Sequence, residues 1–312
     1  MTSRPDPKRL VIATRESALA LWQAEHVKSR LQALYPSCDV VLLGLTTQGD
    51  RVLDQALADI GGKGLFIKEL EVAMAEGRAD LAVHSLKDVP MEMPAGFTLA
   101  AITEREDPRD ALVSNHYLDH ASLPGGARIG TSSLRREAQL RERDPLLQIK
   151  PLRGNVNTRL RKLDEGQFDA IVLAAAGLKR LGFSHRIAYT LDPEESLPAV
   201  GQGALALECR ADREDVIAAL APLANEPTTL AVTAERAFSH TLAGSCHTPL
   251  AAHAIDRLGE LWLRGFFANQ DGSEIMRGER SAVVSGPDAA DALGRSLGEE
   301  FLARGAKRLA QS

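Results

Sequence analysis

A chain of 312 residues exceeds one ordinary hydrophobic core, so two or three domains are expected. Hydrophobic residues at 44% and charged residues at 25% are typical of a soluble globular protein, and a net charge of −5 excludes a nucleic-acid footprint for the chain as a whole. No apolar run approaches the roughly 20 residues needed to cross a bilayer, and three cysteines (Cys38, Cys209, Cys246) without a close pair argue against a disulfide framework or a CxxC metal site.

The opening MTSRPDPKRLVIATRES has no signal-peptide apolar region and passes almost at once into a strand, RLVIAT, which points to the cytoplasm. SALALWQAEHVKSRLQAL has helical spacing, with Ser17 placed to cap it. CDVVLLGL reads as a strand, GLFIKELEVAMAEG as a helix and ADLAV as a strand. Alternation of this kind predicts a mostly parallel sheet covered by helices. The order then recurs: VIATRESALAL is matched by RIGTSSLRREAQL, and AEGRADLAVHSLKD by DEGQFDAIVLAAAGLKR. Two related α/β lobes follow from this, one before about residue 104 and one from about 110 to 198, with TEREDPRD and ESLPAVGQG as crossings around a hinge. GALALEC reads as a strand returning to the first lobe. The remainder changes character. PTTLAVTAERAFSHTLAG is a helix with a glycine stop, HTPLAAHAI and ELWLRGFFANQ alternate as antiparallel strands, and GPDAADALGRSLGEEFLARGAKRL closes as an amphipathic helix. The expected division is 1–104 with 200–222, then 105–199, then a small α+β domain over 223–312.

Ligands of parallel sheets bind outside the carboxyl ends of the strands, where helix N-termini also point. The polar clusters of this chain fall there. Arg15 and Ser17 follow the first strand, and Ser85, Lys87 and Asp88 follow ADLAV. Thr131, Ser132, Ser133, Arg135 and Arg136 follow RIG, and Arg153, Asn155 and Arg159 follow LLQIKPL. Between Arg128 and Arg161 lie eight arginines and one lysine against Glu137, Glu142 and Asp144. Such a run is either a solvated basic face or an anion site, and the planar arginine fork suits carboxylates and phosphates. GGKG at 61–64 lacks P-loop spacing and reads as a flexible loop able to close over a cleft. His84 reads as a satisfied strand-end histidine, and His247 and His253 have no acidic companions for a metal site. Cys209 reads as a core residue and Cys38 has no assigned role. Cys246, in AGSCHTPLA, is by spacing alone either structural or an accessible thiol.

Taken together, ATRESALALWQ, GGKGLFIKELE, HSLKDVP, IGTSSLRR, RGNVNTRL and GQGALALE, with the lone cysteine of AGSCHTP, closely resemble the porphobilinogen deaminase (hydroxymethylbilane synthase) family over nearly the whole chain. The resemblance implies an α/β fold of two periplasmic-binding-protein-like lobes plus a C-terminal domain. It implies an enzyme that joins four porphobilinogen molecules head to tail with loss of ammonia and releases hydroxymethylbilane by hydrolysis. It also implies a dipyrromethane cofactor held by a thioether to Cys246, preceded here by Gly244-Ser245 where the family often has Gly-Gly. Asp88 would stabilise the cationic pyrrole and assist proton transfer. Ser85 and Lys87 would hold substrate or cofactor carboxylates. Arg15, Arg135, Arg136, Arg153, Arg159 and Arg180 would grip the others, and Ser17, Thr131, Ser132 and Ser133 would add hydrogen bonds.

Two other classes fit parts of the pattern. A non-enzymatic anion receptor would share the two lobes, but has no need of a third domain with a loop cysteine. A cysteine-nucleophile hydrolase would need a histidine and an orienting acid near Cys246, and only His247 is at hand. No interface signature stands out, so a monomer is expected, with porphobilinogen as a small-molecule partner and neither nucleic acid nor membrane.

Overall fold

The computed structural model describes residues 6–47, 67–242 and 248–310. The chain divides into two compact units, Met1–Arg105 with Ala204–Thr228, and Glu106–Gly203 with Thr229–Ser312.

The first unit is built on strands β1 (Arg9–Arg15), β2 (Asp39–Leu45), β3 (Leu81–Ser85) and β4 (Phe97–Ile102), joined by β10 (Leu205–Arg210), in the order β2-β1-β3-β10-β4. β1 runs parallel to β2 and β3, whereas β10 is antiparallel to both its neighbours. GALALEC therefore forms a strand of the first sheet. Successive side chains of a strand face opposite ways, and here both faces are apolar. Leu10, Ile12, Leu81, Val83, Leu205 and Leu207 pack with Ala24, Val27 and Leu31 of the helix Ala18–Leu34. Ala13 and Ala82, on the other face, meet Leu70, Ala73 and Met74 of the helix Lys68–Ala75.

The second unit repeats this plan. Its α/β sheet holds β5 (Asp110–Val113), β6 (Arg128–Gly130), β7 (Gln148–Lys150), β8 (Ala170–Ala174) and β9 (Tyr189–Leu191), in the order β7-β6-β8-β5-β9. β6 is parallel to β7 and β8, and β5 is antiparallel to β8 and β9. In each sheet, three parallel strands are followed by an antiparallel strand supplied by a segment that has just crossed. One face buries Ala111, Val113, Ile171 and Leu173 under Leu160, Leu163 and Leu178. The other buries Leu112, Ile129, Ala170 and Val172 under Leu140 and Leu147.

The same unit carries the α+β C-terminal part. Strands β11 (Leu250–Arg257), β12 (Glu260–Ala268) and β13 (Ile275–Ala282) form an antiparallel sheet. The helices Glu226–Thr241 and Pro287–Ala303 contribute Phe238 and Phe301, whose rings meet edge to face at 5.0 Å.

Gly130 ends β6 just before the Thr131–Ser133 cluster. A Cβ there would lie 2.9 Å from Ile171 Cγ2 and 2.9 Å from Phe168 Cδ1, too close for a packed core to absorb freely. Gly130→Ala is expected to destabilise the protein by about 1–3 kcal/mol. Urea unfolding followed by circular dichroism measures this, and an unchanged midpoint would show that the neighbouring side chains can give way.

Candidate active site

In the first unit, the strand-end residues gather at the carboxyl edges of two adjacent parallel strands. Arg15 closes β1 and is half-buried. Ser17 caps the helix Ala18–Leu34, accepting from the Ala20 amide at 3.4 Å. Ser85 closes β3, and its hydroxyl accepts from Gln23 Nε2 at 2.8 Å, which leaves its own proton free to donate. Leu86–Asp88 then makes a single 3-10 turn that buries Leu86 and turns Asp88 out to solvent. The Asp88 carboxylate has no hydrogen-bond or ion-pair partner among the described residues. His84 points the other way, to Glu208 Oε2 at 2.7 Å, both groups being buried. It is a satisfied histidine.

In the second unit, the loops after β6 and β7 are stitched together. Ser132 Oγ donates to the Leu152 carbonyl and accepts from the Leu152 amide, both at 3.0 Å. Thr131 Oγ1 accepts from the Ser133 amide, and Ser133 caps the helix Leu134–Arg143 by accepting from the Arg136 amide. After β7, Gly154 adopts a left-handed backbone with φ of +106°, and a Cβ there would meet Thr158 Cγ2 at 2.7 Å. That bend lets Asn155 cap the helix Val156–Asp164 and lets Arg159 Nε donate to the Gly154 carbonyl at 2.7 Å. The Arg153 guanidinium is half-buried and has no partner among the described residues. Arg180, at the end of the helix Ala175–Arg180, donates to the Gly203 carbonyl at 2.6 Å, and burial pushes its guanidinium down from the ordinary value.

Arg135 and Arg136 stand apart, being only 5% and 6% exposed. The sequence-based expectation set both among guanidiniums facing a ligand, but in the folded chain Asp110 has the first claim on them. Arg135 donates to both Asp110 oxygens, at 2.8 and 3.2 Å, and to the Leu197 carbonyl at 2.7 Å. Arg136 donates twice to Asp110 Oδ1, at 3.0 and 2.7 Å, and to the Val172 carbonyl at 3.0 Å. Ser196 Oγ and Gln202 Nε2 complete the shell of Asp110 at 3.0 and 2.9 Å. Asp110 is fully buried. Burial pushes its carboxyl up, but the two guanidiniums outweigh this and hold it far below the usual carboxylate range. Reading the sequence missed Asp110, Ser196 and Gln202. The available signal was two adjacent arginines in the first turn of a helix, which need a counter-charge wherever they are buried.

Cys246, its neighbours Gly244, Ser245 and His247, and the GGKG segment at 61–64 lie outside the described residues. Cys209 is a fully buried core residue. A surface groove of about 560 Å3 lies at the other end of the helix Leu134–Arg143 from Ser133. Its arginines are already matched by glutamates: Arg143 with Glu195, Arg264 with Glu194 and Arg277 with Glu142. It offers less to an anion than the strand ends do.

Residues 10–218 match the family model described as "Porphobilinogen deaminase, dipyromethane cofactor binding domain", and residues 229–303 match "Porphobilinogen deaminase, C-terminal domain". The chain belongs to the porphobilinogen deaminase family. It is 62% identical over 301 residues to the porphobilinogen deaminase of Ralstonia nicotianae, covering 96% of this chain and 90% of that protein. It is 58% identical over 304 residues to that of Methylobacillus flagellatus, covering 97% of each. Among solved structures, it is similar to a putative methionine-binding lipoprotein from Bacillus subtilis, at 15% identity and a TM-score of 0.46, covering 69% of this chain and 90% of that one. The hydroxyls, helix-start amides and guanidiniums at the strand ends of each unit suit carboxylates, as the dipyrromethane cofactor of the porphobilinogen deaminase family requires.

Arg136 makes three buried hydrogen bonds, two of them to the Asp110 carboxylate, which Arg135 would still neutralise in its absence. Arg136→Leu is expected to destabilise the protein by about 1.5–3 kcal/mol. Arg153→Leu removes a partly exposed cation with no partner among the described residues and should stay within about 0.5 kcal/mol of the parent. Urea unfolding of the two variants tests the contrast, and equal stabilities would show that the Asp110 cluster does not hold the second unit together.

Proposed function

We propose that this family member condenses four porphobilinogen molecules head to tail, with loss of ammonia, and that Asp88 is its catalytic carboxylate. The observation that carries this reading is Asp88 itself: an exposed carboxylate without a partner among the described residues, at the end of a parallel strand, beside Ser85 and Lys87. Each porphobilinogen brings an acetate, a propionate and an aminomethyl group, and loss of ammonia leaves positive charge on the pyrrole. An unpaired carboxylate stabilises that charge and hydrogen-bonds the pyrrole N–H, whose acidity has risen. Lys87 and the Ser85 hydroxyl hold carboxylates beside it, with Arg15 and Ser17 one strand away. Thr131, Ser132, Ser133, Arg135 and Arg136 hold carboxylates of the dipyrromethane cofactor, and Arg153, Arg159 and Arg180 take those of the growing chain.

When bound to Cys246 by a thioether, dipyrromethane supplies the terminal pyrrole carbon at which the chain grows. The thiol is the anchor and does not turn over. The receptor alternative shares the two lobes but offers no use for Asp88. We also read the chain as a monomeric cytoplasmic enzyme of three domains, 1–104 with 200–222, 105–199 and 223–312. The three separate sheets among the described residues support the three-domain division.

Cys246→Ala removes one thiol, so it should fold normally, carry no two-pyrrole adduct and show almost no turnover. Intact-protein and peptide mass spectrometry test this; an adduct mapped to Cys38 or Cys209 would refute the anchor.

For Asp88, a carboxylate about 4 Å from a cation contributes about 4 kcal/mol at an effective dielectric of about 20. At about 1.36 kcal/mol per factor of ten, Asp88→Asn should fold yet slow chain extension about a thousandfold. Single-turnover kinetics with mass analysis of the enzyme-bound species measures it. Near-normal extension would mean that the charge of Asp88 is not catalytic.

A further inference from the structure

The charges around Asp110 do not balance. Two guanidiniums and one carboxylate are buried together, and no second carboxylate among the described residues lies within hydrogen-bonding reach of either arginine. An ion cluster that served only to hold the fold would gain by being neutral, because an uncompensated charge away from water is strongly unfavourable. Donor capacity is also left over. Each guanidinium has five N–H groups, and three bonds from each are made to protein acceptors. Asp110, by contrast, is saturated. Oδ1 accepts from Arg135 Nη2, Arg136 Nε, Arg136 Nη2 and Gln202 Nε2, and Oδ2 accepts from Arg135 Nη1 and Ser196 Oγ.

The carboxylate is also fixed independently of the arginines. It opens β5, and Gln202, which donates to it, donates as well to the Pro108 carbonyl at 2.7 Å. Ser196 and Gln202 hold it from the segment that follows β9, so the guanidiniums take their orientation from the carboxylate. We propose that Asp110 is a positioning residue. It sets Arg135 and Arg136 side by side and leaves the pair with one unit of positive charge, a receptor for a single carboxylate of the bound dipyrromethane. The proposal rests on the reading that these two arginines hold cofactor carboxylates.

The test uses the full-length protein, purified as wild type, Asp110→Asn and Ser196→Ala. Ser196→Ala keeps all three charges and removes only one hydrogen bond, from an uncharged hydroxyl to Asp110. Two quantities are read for each: the thermal midpoint, and the fraction of folded molecules that carry the two-pyrrole adduct by intact mass. Asp110→Asn is expected to lower the adduct per folded molecule about tenfold or more, one hydrogen bond to a charged group being worth about that factor. Ser196→Ala is expected to lower it severalfold, with a smaller fall in midpoint than Asp110→Asn. A purely structural role would move the midpoint and leave the loading of folded molecules unchanged. Wild-type loading in both variants, or in Ser196→Ala alone should Asp110→Asn fail to fold, would overturn the proposal. Wild-type protein without any adduct would instead defeat the functional reading beneath it, so the two failures are told apart.

Discussion

The second unit is organised around one carboxylate that never meets water. Asp110 is fully buried, and what it binds comes from two separate parts of the chain: the first turn of the helix Leu134–Arg143, and Ser196 and Gln202 of the segment after β9. Its neighbours extend the same web. Gln139 accepts from the Leu197 amide and donates to the Leu197 carbonyl, and Arg136 reaches the Val172 carbonyl on β8. A buried carboxylate deprived of its donors is strongly destabilising, so the parts that supply those donors are held against it. The loops after β6 and β7, tied to each other through Ser132 and Leu152, are therefore presented from a rigid base.

The two units treat their acidic groups in opposite ways. Asp110 is enclosed, saturated and held ionised by adjacent guanidiniums. Asp88 is exposed on a single turn, without a partner among the described residues. The difference comes from local structure. Asp110 opens a strand in the middle of a sheet, where both faces are covered, whereas Asp88 lies past the end of one, where the chain has left the core. A charge kept in reserve for a ligand needs the second setting, and a charge that organises other charges needs the first.

Much of this was legible in the sequence. Short apolar runs alternating with helical spacing gave the two parallel-centred sheets, because strands buried on both faces must be apolar throughout. Ser17 stands at the cap expected of it, while Ser133 and Asn155, expected as polar residues at strand ends, turn out to cap the helices that follow. The inward turn of Arg135 and Arg136 was not legible. Which way a side chain in a first helical turn points depends on what lies across from it, and Asp110 is 25 residues away in sequence. The Gln23–Ser85 bond was hidden for the same reason: it joins residues 62 positions apart. Fold and cap positions follow from nearest neighbours, while the partners of a buried polar group are set by topology.

One feature of that topology bears on how the chain comes to be assembled. β10 lies between β3 and β4, so the first sheet is not continuous until residues 205–210 are in place. β4 ends at Ile102, and on the order of a hundred residues, containing a complete second α/β sheet, must be synthesised before β10 exists. The second sheet needs no such wait, since all five of its strands lie between Asp110 and Leu191. During translation the earlier-made lobe is therefore the later to close, with the inner edges of β3 and β4 exposed in the interval. Unpaired edges of that kind invite pairing with other chains. A nascent chain stalled before residue 205 carries that hazard in a way that the finished protein does not.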